Sequence, residues 1–205
     1  MSRGRVLIIA GSDSGGGAGS QADIKTVTAL GGYAMTAVTA ITVQNTLGVS
    51  AIHPIPPDII RGQIDAVMSD LGADAWKIGM LGTAENVRLV ETAFHEVAAG
   101  APLVLDPVMI AKGGASLLDG DAVEALRTAL PIAALVTPNA PEASRLVGFE
   151  VDDLDAQKRA AEAEVLLRDA ELIAIKGGIL NEARTLIAQA DEAKVARFAP
   201  RTLQS

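Results

Sequence analysis

The 205-residue sequence has no cysteine, which excludes disulfides and zinc–thiolate centres. Aromatics are scarce, at one Trp, one Tyr and three Phe, too few to build a stacking surface for nucleic-acid bases. Positive charge is the minority sign. Seventeen Lys and Arg stand against twenty-five Asp and Glu, giving a net charge of -8 and a pI near 4.7. No long-range field therefore draws in nucleic acid or an anionic membrane. The only histidines, His53 and His95, are far apart and show no metal-ligand spacing. No apolar run approaches the roughly 20 residues of a membrane span. Val6–Ala10, behind Arg3 and Arg5, is too short for a signal peptide. The expectation is a cytoplasmic protein with no nucleic-acid and no membrane partner. An acidic chain of this kind has to handle phosphates locally, with a helix N-terminus, a lysine or a metal.

What is present is an alternation of short apolar runs and longer helical patterns. Strands are predicted over Val6–Ala10, Met35–Val43, Val49–His53, Ala75–Ile78, Leu103–Leu105, Ala134–Val136 and Leu172–Ile175. Several are almost wholly apolar, as strands buried on both faces are. Val49–His53 is also compatible with a hairpin or edge strand. Helices are predicted over Ser20–Leu30, Asp58–Leu71, Ala84–Ala98, Asp121–Leu130, Ala140–Leu146 and Ala156–Arg168, where apolar residues recur every three or four positions. The pattern predicts an α/β fold with a mostly parallel sheet covered on both sides. Beyond Lys176 it weakens; Asn181–Ala193 reads as a further helix of mixed polarity, with no strong strand after it.

In open α/β sheets ligands bind beyond the C-terminal strand ends. Six strands here end in a glycine, proline or polar signature: Gly11-Ser12-Asp13, Gln44-Asn45, Gly79-Met80, Asp106-Pro107, Thr137–Glu142 and Lys176-Gly177-Gly178. The first opens a stretch with five glycines in nine residues, Gly11 to Gly19. It matches no Walker loop, no dinucleotide fingerprint (Ser20 stands where the third glycine is needed) and no nucleophile elbow. It reads either as a tightly packed strand-to-helix turn or as a backbone wall for a flat ligand. Asp23 falls in the first turns of the following helix, where a carboxylate suits the dipole. The Gln44 amide offers an acceptor and donors that match a ring nitrogen beside an exocyclic amine, and equally suits a turn. Asn139 and Glu142 have the spacing of a capping box, with Pro141 in the first helical turn. Glu142 and Asp106 are also the carboxylates placed to hold Mg²⁺ beside phosphates. Lys176 suits a phosphate as a point charge, or reaches solvent from a sheet edge. Lys77, beside the lone Trp76, reads as packing.

The stretches "IAGSDSGGGAGSQADIKT", "TAITVQNTLGV", "KIGML", "VLDPVM", "TPNAPEA" and "AIKGG", in this order from residue 6 to about 178, resemble the hydroxymethylpyrimidine and phosphomethylpyrimidine kinases of thiamine biosynthesis. The first two are specific to those kinases and their pyridoxine-kinase-like relatives. The resemblance implies a ribokinase-like three-layer α/β/α fold, one domain over residues 1–205. It implies ATP and Mg²⁺ as cofactors, a small pyrimidine as substrate, and a homodimer. Gly11, Asp23, Gln44 and Met80 would line the pyrimidine pocket. Asp106 and Glu142 would lie near the metal, Asn139 would support Glu142 at the nucleotide, and Lys176 would contact ATP. The family continues into a His-Gly-Thr-Gly-Cys stretch holding its anion hole and cysteine. No such stretch occurs here, and Ile179 stands where a histidine follows "KGG". The expectation is therefore a C-terminally truncated kinase domain with no assigned catalytic residue. Pyridoxine or pyridoxal kinase, and a non-catalytic pyrimidine-binding remnant, are the alternatives.

Overall fold

A computed structural model describes residues 4–109, 120–163, 172–176, 185–189 and 195–198. The chain forms two compact units that divide between Ala129 and Leu130.

The first unit contains β1 (Arg5–Asp13), α1 (Gly19–Ala29), β2 (Tyr33–Asn45), β3 (Gly48–Pro54), α2 (Pro57–Asp70), β4 (Ala75–Ile78), α3 (Ala84–Val97), β5 (Leu103–Leu105) and α4 (Gly120–Ala129). Its strands run β3-β2-β1-β4-β5. β1 is parallel to β2 and to β4, and β4 to β5. Only β3 is antiparallel, folded back on β2 as the edge hairpin that its position allowed. Asn45 closes that hairpin by accepting the N–H groups of Leu47 and Gly48. β1 lies inside the sheet, and Leu7, Ile8 and Ile9 are fully buried there. That explains the unbroken apolar run: neither face of this strand meets water.

The helices form where the apolar spacing placed them, and their ends follow local chemistry. α3 starts at Thr83, whose side chain accepts the N–H of Asn86 at 3.2 Å. Ala84, Asn86, Val87, Val90 and Ala93 of α3 are buried; steps of three drift by about 60° each, so these residues spread over a broad face rather than a narrow stripe. α2 begins with Pro57 and buries Ile60 and Ile64, each contributing about 1.5–3 kcal/mol. Trp76 is fully buried and meets Phe94 of α3 edge to face, with ring centroids 5.5 Å apart.

The second unit contains a 3-10 turn (Leu130–Ile132), β6 (Leu135–Val136), α5 (Ala140–Val147), α6 (Leu154–Ala161), β7 (Leu172–Lys176), β8 (Thr185–Gln189) and β9 (Val195–Phe198). β6 and β7 are parallel, while β8 is antiparallel to both β7 and β9. α5 ends at Gly148 with φ of +80°, the left-handed cap that glycine adopts without a Cβ clash.

Four expectations are corrected. β1 and β2 extend through Ser12-Asp13 and Gln44-Asn45, so these polar residues belong to the strands rather than following them. Parallel pairing of Ser12 and Asp13 with Ile41 and Thr42 carries β1 that far, and antiparallel pairing of Gln44 and Asn45 with Val49 and Gly48 carries β2. β6 lacks Ala134. α6 starts two residues early because Asp153 caps it, accepting the N–H of Ala156 at 2.6 Å, and it ends at Ala161 with Glu162 as its C-cap, well short of the expected Arg168; residues 164–168 lie outside the described ones. Within Asn181–Ala193, residues Thr185–Gln189 are a strand instead of a helix, and a further strand follows at Val195–Phe198. Pairing with β7 and β9 outweighs a helical pattern that was weak to begin with. Residues 181–184 and 190–193 lie outside the described ones.

Candidate functional site

A cavity of about 320 Å³ opens in the first unit where β1, β2 and β4 end. Its lining includes Gly11, Asp23, Gln44, Met80 and Asp106, all singled out from the sequence, together with Lys77 and Thr42, which were not. Five of the eight candidates therefore meet at one place.

The glycine stretch forms one wall, and Asp13 organises it. The Asp13 carboxylate is buried. Its Oδ1 accepts the N–H of Gly15 at 2.8 Å, and its Oδ2 accepts those of Gly17 at 3.0 Å and Ala18 at 2.8 Å. The N–H of Gly16 goes to the Asp13 carbonyl oxygen. Four successive N–H groups are thus occupied by one residue. The loop is an anion nest already filled from within the chain, and the backbone it shows to the cavity offers no free donor from these four residues. Gly19 has φ of +56°, and a Cβ there would lie 2.4 Å from the carbonyl oxygen of Gly11. Only glycine lets the start of α1 come so close to β1.

Gly11 lies at the register shift of β1 against β2. A Cβ on it would meet Met80 Cε at 2.7 Å. Its missing side chain thus makes room for the Met80 thioether over the strand. Met80 itself is held from behind: its carbonyl oxygen accepts the buried hydroxyl of Thr39 at 2.6 Å.

Asp23 has a different role from the one its position suggested. α1 begins at Gly19 and has no acidic residue in its first turn. The Asp23 carboxylate instead accepts from Lys77 Nζ at 2.6 Å, and both side chains are about three-quarters buried on the cavity wall. The packing assignment for Lys77 is corrected with it. Alternation along β4 sends Trp76 into the core and Lys77 to the opposite face. A lysine in a short strand among apolar residues needs a counter-charge, and that was the available signal. Its partner, 54 positions away, is not readable from spacing.

Gln44 lies half-buried near the end of β2. Its main-chain N–H is held by the Ser14 hydroxyl, and its side-chain Oε1 lies 3.2 Å from the Thr42 hydroxyl. Gln21 of α1 ties the neighbouring strand end down: Oε1 accepts the N–H of Asp13, and Nε2 donates to Ser12 Oγ at 2.7 Å. Asp106 closes the lining after β5. Its N–H donates to the carbonyl oxygen of Ile78, and its own carbonyl oxygen accepts from Val108 across Pro107.

Asn139 and Glu142 belong to the second unit and form the full capping box. Asn139 Oδ1 accepts the Glu142 N–H at 2.9 Å, and Glu142 Oε2 accepts the Asn139 N–H at 2.8 Å. Glu142 is 2% exposed. Lys176 is the last residue of β7; its side chain lies outside what the structure describes. Among the described residues no group of three or more His, Asp or Glu is arranged to hold a metal ion. Nor, among them, is any helix long and apolar enough to cross a membrane.

Residues 13–204 match the family model described as phosphomethylpyrimidine kinase. The hydroxymethylpyrimidine/phosphomethylpyrimidine kinase of Bacillus subtilis strain 168 is 49% identical over 179 residues, covering 87% of this chain and 65% of that one. The chain spans between 41% and 65% of the length of the curated relatives it matches. Among solved structures, the phosphomethylpyrimidine kinase of Clostridium difficile 630 superposes with a TM-score of 0.85 at 39% identity, over 96% of this chain and 84% of that chain. An ADP complex of Bacillus subtilis pyridoxal kinase follows at 0.84 and 35%, over 97% and 76%. The fold is therefore ribokinase-like, as the sequence implied. By motif order, fold and model match alike, this chain belongs to the phosphomethylpyrimidine kinase family.

Proposed function

We propose that the cavity of the first unit holds 4-amino-5-hydroxymethyl-2-methylpyrimidine and its monophosphate, and that the chain serves their ATP-dependent phosphorylation in thiamine biosynthesis. The observation that carries this reading is Gln44. It brings an amide edge to a cavity whose lining combines glycine backbone, Met80 and aliphatic carbon with the Asp23–Lys77 pair, Thr42 and Asp106. One acceptor and one donor side by side pair with a ring nitrogen next to an exocyclic amine, while flat apolar walls suit a heterocycle. Because Asp13 fills the glycine nest, that loop serves as a wall and not as a phosphate cradle.

In the transfer, the hydroxymethyl oxygen forms a bond to the γ-phosphorus of ATP as the bond to the β,γ-bridging oxygen breaks. ADP leaves and the hydroxyl proton is released. Such chemistry asks for positioning and charge neutralisation. Asn139 and Lys176 are proposed at the nucleotide. Mg²⁺ keeps most of its water and needs only one or two carboxylates beside phosphate oxygens. Asp106, on the cavity wall, fits that donor set. Glu142, with one oxygen holding its own helix cap, fits it only through water. The ion would neutralise the β- and γ-phosphate charge. A homodimer in the cytoplasm completes the proposal.

Calorimetric titration tests it. The unaltered chain is expected to bind the aminopyrimidine saturably, and Gln44→Ala to weaken binding about tenfold or more, as loss of a bidentate pair does. Pyridoxal binding more tightly than the pyrimidine moves the assignment to pyridoxal phosphorylation, and unchanged affinity in Gln44→Ala removes the argument.

A further inference from the structure

Thr42 is 5% exposed and has one hydroxyl proton to give. Its Oγ1 lies 2.8 Å from the carbonyl oxygen of Ser12 and 3.2 Å from Oε1 of Gln44. A carbonyl oxygen can only accept. The shorter contact is a hydrogen bond only if the Thr42 proton lies in it. Were the proton turned to Gln44 instead, two acceptors would face each other at 2.8 Å inside the protein. Toward Gln44, then, Thr42 has acceptor capacity alone, and an amide meets an acceptor with its nitrogen.

We infer that Thr42 sets the polarity of the Gln44 amide, and through it selects amino- over oxo-pyrimidines; this rests on the pyrimidine reading given above. A half-turn about the terminal side-chain bond brings Nε2 to Thr42 Oγ1. One N–H then goes to Thr42. The other N–H and Oε1 form the edge shown to the cavity, so every donor and acceptor of the amide has a defined use. A ring nitrogen beside an exocyclic amine matches that edge. A ring N–H beside an exocyclic carbonyl, in the same pose, presents the reverse order. It is matched only if the amide turns back and sets Oε1 against Thr42 Oγ1 with no proton between them. Ser12 is itself held in place by Gln21, which donates to its hydroxyl. The chain from α1 through β1 and Thr42 to Gln44 is therefore a positioning device: none of its members before Gln44 has to touch the ligand to choose it.

The test compares the 4-amino pyrimidine with its 4-oxo counterpart by calorimetry on the unaltered chain, Thr42→Val and Thr42→Ser, with circular dichroism as a check on folding. The unaltered chain is expected to prefer the amino compound. Thr42→Val is expected to lower the amino-over-oxo affinity ratio about tenfold, since one buried hydrogen bond no longer opposes the flip, and Thr42→Ser to restore it. A lost fold would move both affinities together and leave the ratio alone. A ratio unchanged in Thr42→Val while Gln44→Ala still weakens binding overturns the role of Thr42 and spares the pyrimidine reading. Failure of the unaltered chain to bind either compound overturns both. A second readout needs no variant. In the ligand-free chain, a nuclear Overhauser contact is expected between a Gln44 Nε2 proton and the Thr42 side chain, and its absence overturns the inference.

Discussion

The turns from β1 into α1 and from β6 into α5 meet the same need with different parts. Each leads into a helix and leaves backbone N–H groups in need of partners, and each uses a buried carboxylate. In the second turn the carboxylate lies inside the helix and reaches back: Glu142 to the N–H of Asn139, three residues away. In the first it lies in the strand and reaches forward: Asp13 to Gly15, Gly17 and Ala18. Reaching back leaves the chain compact and needs only standard dihedrals. Reaching forward wraps the loop around the carboxylate, which takes left-handed residues at Gly16 and Gly19. The wrapped loop becomes a smooth wall of glycine backbone beside the cavity. One arrangement caps a helix; the other folds the loop that leads into a helix, whose own start has no side-chain cap, and builds part of a site.

If that difference is real, the side chains that hold the two turns carry unequal weight. Asp13→Ala strips three N–H groups of a charged partner in a buried place, and is expected to cost about 3–5 kcal/mol. Urea denaturation read through its midpoint at constant slope measures this. A loss below about 1 kcal/mol would mean that the glycines alone shape the loop. In the other turn Asn139→Ala is expected to cost about 1 kcal/mol, the usual worth of an N-cap. Equal losses at the two sites would erase the distinction between them.

The same contrast separates what the sequence disclosed from what it hid. The Asn139–Glu142 box is legible because its two partners are three residues apart in one helical start. The helix faces are legible for the same reason, since burial of Ile60 with Ile64, or Val87 with Val90, repeats with the turn of the helix. Gln44, Asp106, Gly11 and Met80 were found because each lies within three residues of the C-terminal end of a strand, and a parallel sheet brings such ends to one edge. What stayed hidden depends on register between distant segments. Lys77 and Asp23 meet only because β4 lies beside β1 with α1 packed nearby, and Thr42 faces Ser12 only through the bulged pairing of β1 with β2. The strands at Thr185–Gln189 and Val195–Phe198 were missed because antiparallel pairing, not local pattern, makes them strands.

Asp74 supplies the solvent limit of the comparison. Like Asp13 and Glu142 it accepts a main-chain N–H, that of Arg5, at 2.8 Å, and its Oδ1 also pairs with the Arg5 guanidinium at 2.8 Å. Here, however, both side chains are about half exposed. The Arg5 side-chain hydrogen bond, followed by the bond from the Arg5 N–H, lowers the Asp74 carboxyl from 3.8 to about 2. A carboxyl lowered by folding stabilises the protein above its unfolded value and loses that contribution as pH falls through the folded one. The pair is therefore expected to be intact above about pH 4 and spent near pH 2. Asp74→Asn should melt slightly below the unaltered chain near neutral pH, and the two melting temperatures should converge as pH falls through that window. About 1 M salt should narrow the gap at neutral pH, because exposed charges are screened. A gap that is the same at both ends of the window would show that charge contributes nothing to a carboxylate holding an N–H in water. Burial, rather than the carboxylate itself, would then be what sets Asp13 apart.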